Sequence, residues 1–192
     1  TSSLVLGSSS GIHAWHAPYF IRRMRFGADE AIAKYVALEL PELVEECKFD
    51  PEGTLILSVP QKAPEGAINR SESTFDLLDR VLTYNKSWVQ KGWNHGVNHN
   101  NVSATLSVKD NEWDELGERL FKERHSYNGI SVLPYDGGTY VQAPFEEITE
   151  SEYNQLARHL HSIDLSKIKE DDDNTNLAGE AACAGGSCDI PV

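Results

Sequence analysis

The 192 residues carry 30 Asp and Glu against 17 Lys and Arg, a formal net charge of −13. Phosphate backbones bind clustered cations, so this balance excludes a protein that wraps DNA or RNA directly. The length suffices for one domain with a real core, and no apolar run is long enough for a membrane span; three cysteines and the lack of a leader-like segment point to a reducing, cytoplasmic setting.

The chain opens on Thr1-Ser2-Ser3-Leu4-Val5-Leu6-Gly7 without an initiator Met, which reads as the inside of a longer or split protein. The pattern predicts a loop, a buried strand at 4–6 and a second Ser/Gly loop to Gly11. Such loops cradle phosphate through N–H and hydroxyl donors, but they are too common to single out a site. Residues 12–20 crowd His13, Trp15, His16, Tyr19 and Phe20 together. The two histidines are expected to be buried packing groups rather than ligands or bases. Arg22, Arg23 and Arg25 are the one basic cluster, read as a solvated face ahead of an anion site.

Apolar residues recur at helical spacing over 29–40, with Pro41 as terminator. Residues 43–47 suit a further turn in which Cys47 is a small core residue. The turn Asp50-Pro51-Glu52-Gly53 leads into a strand at 54–60. A long helix is predicted over 71–92, capped near Ser73 or Thr74, with Phe75, Leu78, Val81, Leu82, Asn85 and Val89 on one stripe and Gly92 as its stop. After the polar stretch 93–101 come a strand at 102–108 and a helix at 112–125 with Trp113, Leu116, Leu120 and Phe121 inward. A strand at 129–134 and a hairpin-like loop at 135–140 follow. The last helix starts at Thr149, with Glu152 at the capping-box position, and runs to about Ile163. Alternating strands and helices predict an α/β sheet or part of a barrel, with open edges that need partner strands.

Residues 165–192 form a tail distinct from 1–164: an acidic run, small residues, then Cys183 and Cys188 separated by Ala184, Gly185, Gly186 and Ser187. The composition predicts a mobile arm, and the permissive spacer lets the two Cα atoms approach to the roughly 4.4 to 6.8 Å that a disulfide needs. A structural disulfide, half of a metal site and a mobile dithiol are the three readings. No second Cys/His pair follows, so no metal is assigned. A cross-link on a tether has nothing to stabilise, which favours the dithiol. The carboxylates at 170–173 and Asp189 disfavour the thiolate, which suits an electron shuttle better than a nucleophile attacking substrate.

The segments NNVSAT at 100–105, YNGISVLPYDGGTY at 127–140 and QAPFE at 142–146 closely resemble adenosylcobalamin-dependent (class II) ribonucleotide reductases, more narrowly the ribonucleoside-triphosphate branch. The opening TSSLVLGSSSGIHAWH resembles the segment leaving that family's substrate-phosphate loop, and ACAGGSC at 182–188 resembles its C-terminal redox arm. The resemblance covers essentially the whole chain but only the last part of a longer enzyme. It implies the C-terminal portion of a ten-stranded α/β barrel with a flexible tail, adenosylcobalamin as cofactor of the complete enzyme, a ribonucleotide substrate, and thioredoxin or a similar reductant as partner. Cys183 and Cys188 match the arm pair, and Thr1 and Ser2 match the far end of the phosphate loop. The family's radical cysteine and reducible barrel pair precede Thr1, and Cys47 matches none of them. The chain is therefore expected to be inactive without the missing N-terminal part. About twenty flexible residues span roughly 25 Å, enough to swing between a barrel mouth and an external reductant. The competing reading is a non-catalytic, dithiol-tailed subunit that delivers reducing equivalents to a separate catalytic chain.

Overall fold

The computed structural model describes Ser3, residues 6–92, 100–135 and 140–169. The strands are β1 Tyr19–Gly27, β2 Val44–Glu46, β3 Thr54–Lys62, β4 Thr105–Val108, β5 Ser131–Pro134 and β6 Phe145–Glu147. The helices are α1 Ala31–Glu39, α2 Thr74–Tyr84, α3 Trp113–Lys122 and α4 Glu150–Ala157, with a π turn at Asn85–Val89 and 3-10 turns at Pro41–Leu43 and Leu165–Lys167. One sheet has the strand order β2-β3-β1-β6 and the other pairs β4 with β5. The architecture is thus mixed α/β. The described residues fall into two units, one drawn from Thr1–Arg22 and Pro60–Tyr153, the other from Arg23–Val59 and Asn154–Val192.

The first unit is built on a β-α-β element. β4 and β5 run parallel, in register from Thr105↔Ser131 to Val108↔Pro134, with α3 between them in the chain. β4 alternates, so Leu106 and Val108 point inward, where they meet Leu77 and Leu78 of α2 and Leu116 of α3. Ile12, from the opening segment, packs on the same cluster. Each fully buried leucine contributes about 1.5–3 kcal/mol through removal of apolar area from water. α2 starts where its sequence dictates: the Ser73 hydroxyl accepts the Phe75 N–H at 3.0 Å and the Asp76 carboxylate accepts the Ser73 N–H at 3.2 Å. Such a cap is worth about 1 kcal/mol.

Besides residues 44–46, expected in a turn and found as strand β2, the unexpected β6 and a shorter α4, the structure departs from the sequence expectations in four places. The helix expected over 71–92 widens into the π turn at Asn85, whose buried amide donates to the Asn128 side chain at 3.1 Å and accepts from Gln90 at 2.8 Å. A buried amide without partners is costly, and the wider turn brings Gln90 round to satisfy it. In α3, Leu116 is buried, but Trp113 is 41% and Phe121 71% exposed. Phe121 lies five residues beyond Leu116, about 140° round the helix, and the Arg124 guanidinium covers its ring at 4.5 Å. Of the strand expected at 4–6, Leu4 and Val5 lie outside the described residues, and Leu6 is helical and 74% exposed. Gly7 takes the left-handed φ of 58° and the Ser8 N–H reaches back to the Ser3 carbonyl at 3.0 Å, a helix-ending Schellman arrangement. Three apolar residues alone do not distinguish a strand from a helix end.

The fourth departure is β1, which the three arginines disguised. Successive strand residues point to opposite faces, so Arg22 and Arg23 part company. In the second unit Arg23 is buried and pairs with Glu45 of β2 at 3.2 Å, and Glu45 also accepts the Ser58 hydroxyl. The solvated-face reading therefore fails for Arg23, whereas Arg25 is exposed as that reading expects. That unit's core is Val36, Leu40, Leu43 and Leu57, flanked by Met24, Phe26 and Val59, and β2 pairs antiparallel with β3 at Val44↔Leu57. Cys47 is a buried free thiol, as expected of a core residue.

α4 begins with the predicted capping box. The Glu152 carboxylate accepts the Thr149 N–H at 2.8 Å, and the Thr149 hydroxyl accepts the Glu152 N–H at 3.2 Å. The Thr149 bonds hold this carboxyl below its ordinary range. The helix stops at Ala157, short of Ile163, where His159 and Leu160 close tighter bonds to the Leu156 and Ala157 carbonyls. Among the described residues no helix is long and apolar enough to cross a membrane.

Candidate functional site

In the first unit the opening Ser/Gly loop borders a cavity of about 210 Å³, lined by Ser8, Ser9, Ser10, His16, Arg22 and Arg70 among others. The loop is held at both ends. Gly7 and Gly11 both take φ 58°, a region that an L side chain occupies only under strain. Open space surrounds both, so backbone conformation rather than crowding demands glycine there.

His13 anchors the loop to the sheet. Its Nε2 accepts the Thr105 N–H at 3.1 Å, so Nδ1 carries the proton and donates to the Ser10 carbonyl at 2.9 Å. Arg80 donates to the Ile12 carbonyl at 3.0 Å while its ion pair with Glu72, at 2.6 Å, fixes the guanidinium. Beyond the loop, the Trp15 N–H bonds the Ile68 carbonyl and the Arg70 N–H bonds the Trp15 carbonyl, at 2.8 and 2.9 Å. Those bonds bring Arg70 to the cavity from a distant part of the sequence.

The aromatic wall sets the electrostatics. His16 stacks on Phe145 with centroids 5.6 Å apart, and Phe20 closes against both rings. Arg22 lies over Phe145 at 5.4 Å, paired with it across β1 and β6. The Arg70 guanidinium approaches His16 Nδ1 at 3.4 Å. Burial, reinforced by the Arg70 charge, lowers the His16 pKa to about 4. His16 is therefore neutral near pH 7 and receives the Arg70 N–H, so the positive charge of the cavity rests on the two guanidinium groups. Hydroxyls and two fixed guanidinium groups on an apolar wall make a receptor for a multiply charged oxyanion.

This predicts a titration. With its folded pKa below the unfolded value, His16 binds its proton more readily in the unfolded chain. Its contribution is therefore lost as pH falls from about 6.5 to about 4. The ring resonance of His16, followed by NMR, is expected to show a midpoint near 4, and His16→Phe is expected to flatten the stability profile in that window. An ordinary midpoint near 6.5 would contradict the burial.

Of the residues singled out in the sequence, His13 and His16 are hydrogen-bonded as expected, but both are half-buried rather than buried. Thr1, Ser2, Cys183 and Cys188 lie outside the described residues. Sequence reasoning missed Arg70, because no local pattern marks it, and missed the turn of Arg22 into the cavity, because β1 was not recognised.

No protein-family model matches the chain. Over 99% of its length it is 30% identical to the adenosylcobalamin-dependent ribonucleoside-triphosphate reductase of Lactobacillus acidophilus and 28% identical to that of Lactobacillus leichmannii. A probable enzyme of the same name from Dictyostelium discoideum is 28% identical over 99% of the chain. The chain spans 25%, 25% and 24% of those relatives' lengths. A solved B-12 dependent (class II) ribonucleotide reductase matches the fold with a TM-score of 0.64 at 22% identity, over 82% of this chain and 21% of that one. From end to end, then, this chain is similar to about a quarter of the length of adenosylcobalamin-dependent ribonucleoside-triphosphate reductases, and its fold is shared with a class II ribonucleotide reductase.

Proposed function

We propose that the chain is the C-terminal part of an adenosylcobalamin-dependent ribonucleoside-triphosphate reductase, acting in the cytoplasm. In this reading residues 1–164 contribute to a ten-stranded catalytic barrel and residues 165–192 are its redox tail. The observation that carries the proposal is similarity to such reductases across 99% of the chain. The open edges of the β4–β5 pair accord with it, since parallel strands are normally buried within larger sheets.

The cavity is the proposed seat of the substrate's phosphates. Ser8 to Ser10 would supply hydroxyl and N–H donors, together with Thr1 and Ser2, which the family resemblance assigns to the phosphate loop. Arg22 and Arg70 would neutralise the charge, and the Phe20–Phe145 wall would exclude water from the bound chain. Adenosylcobalamin, when bound by the complete enzyme, supplies the homolytic chemistry that starts ribose reduction. Among the described residues the two cavities measure about 210 and 370 Å³. Drug-sized ligands already fill roughly 300–1,000 Å³. The larger corrinoid does not fit either of these two, and its binding is assigned to the complete enzyme.

Cys183 and Cys188 are the proposed electron relay. One tail thiolate attacks the disulfide left in the barrel after ribose reduction; the other closes a tail disulfide and frees the barrel dithiol. Thioredoxin, itself becoming a disulfide, then returns the tail to the dithiol. The test is reconstitution with the missing N-terminal part, adenosylcobalamin, a ribonucleoside triphosphate and a dithiol. Deoxyribonucleotide is expected only when both parts are present, and no reduction with any reductant would overturn the proposal.

A further inference from the structure

We infer that Lys109 and Arg70, joined through the ring of Tyr135, receive the terminal phosphate of a nucleoside triphosphate and so give the site a preference for triphosphate over diphosphate. The inference rests on the phosphate reading of the cavity. β4 and β5 end at Val108 and Pro134, so Lys109 and Tyr135 are the first residues beyond the carboxyl ends of two parallel strands. Ligands of α/β sheets gather at that end, where side chains from successive strands converge. The Tyr135 N–H bonds the Val108 carbonyl at 2.8 Å and locks the tyrosine beside the lysine.

Two cations share that ring. The Arg70 guanidinium lies 5.2 Å from its centroid and the Lys109 ammonium 5.9 Å. The ammonium also donates to the Ser71 carbonyl at 3.3 Å, which draws it toward the segment that carries Arg70. The nearby carboxylate, Glu112, accepts the Thr74 hydroxyl at 2.7 Å and the Lys109 N–H at 3.0 Å. Both cations border one ring, and an anion seated at its edge meets both charges. Charge counting gives the specificity. A diphosphate finds its counter-charges in Arg22 and Arg70, whereas a third phosphate adds charge that a further cation beside Arg70 meets.

The test uses inorganic polyphosphates, which carry no base or sugar, titrated into the 192-residue chain by calorimetry. Tripolyphosphate is expected to bind about tenfold more tightly than pyrophosphate, as one added charge-assisted contact allows. Lys109→Gln is expected to bring the two within about twofold by weakening tripolyphosphate far more than pyrophosphate, and Lys109→Arg, which keeps the charge, is expected to retain the preference. Equal affinities in the unaltered chain, a preference that survives Lys109→Gln, equal weakening of both probes or loss of the preference in Lys109→Arg would overturn the inference. Binding of neither probe to the unaltered chain would instead sink the phosphate cavity itself.

Discussion

In the complete reductase, replacing Cys183 or Cys188 by serine is expected to cut thioredoxin-driven turnover by about a hundredfold or more, with dithiothreitol-driven turnover within about twofold of the parent. A hydroxyl neither attacks a disulfide nor forms a mixed one, so a single serine stops the relay at whichever exchange needs the missing sulfur. On the proposed relay, a small dithiol would reach the barrel disulfide directly and bypass the tail. Parallel assays of deoxyribonucleotide formation with the two reductants read the difference. Equal loss with both would mean that the cysteines serve the barrel rather than carry electrons to it.

Leu78→Ala is expected to destabilise the first unit by about 3 kcal/mol, the usual cost of a leucine-sized void that its neighbours only partly fill. Leu78 has no exposed surface and touches the cluster of Leu106, Val108 and Leu116. Ile12 packs against that same cluster, and Ile12 precedes His13, which ties the serine loop to Thr105. Loosening the core should therefore weaken tripolyphosphate binding as well as lower the denaturant midpoint. Leu38→Ala is the control: Leu38 lies on the exposed face of α1, and its loss should move neither measurement appreciably. If Leu78→Ala costs no more than Leu38→Ala, the assignment of this core is wrong.

What was readable in the chain, and what was not, divides along local and distant causes. α2 and α4 could be placed because their caps are written in neighbouring residues, Ser73 with Asp76 and Thr149 with Glu152. β4 and β5 could be placed because β-branched and apolar residues alternate between turn signals. β1 escaped because its arginines hide the alternation, and Arg23 pairs with Glu45, which lies on a different strand. β6 escaped because three exposed residues carry no pattern, and pairing with Phe20 to Arg22 is what makes them a strand.

The family resemblance, the capped helices and the order of strands and helices around the β-α-β element were present in the amino-acid order, because caps, turn signals and residue alternation are read from neighbouring positions. The cavity was not. Arg22, Arg70 and Phe145 meet there from three separated stretches, and His16 loses its proton affinity only because burial and the Arg70 charge act on it together. Local order decides which turns and helices form, but the strength of a charge depends on the solvent removed around it and on the partners set beside it, and only the folded chain determines both.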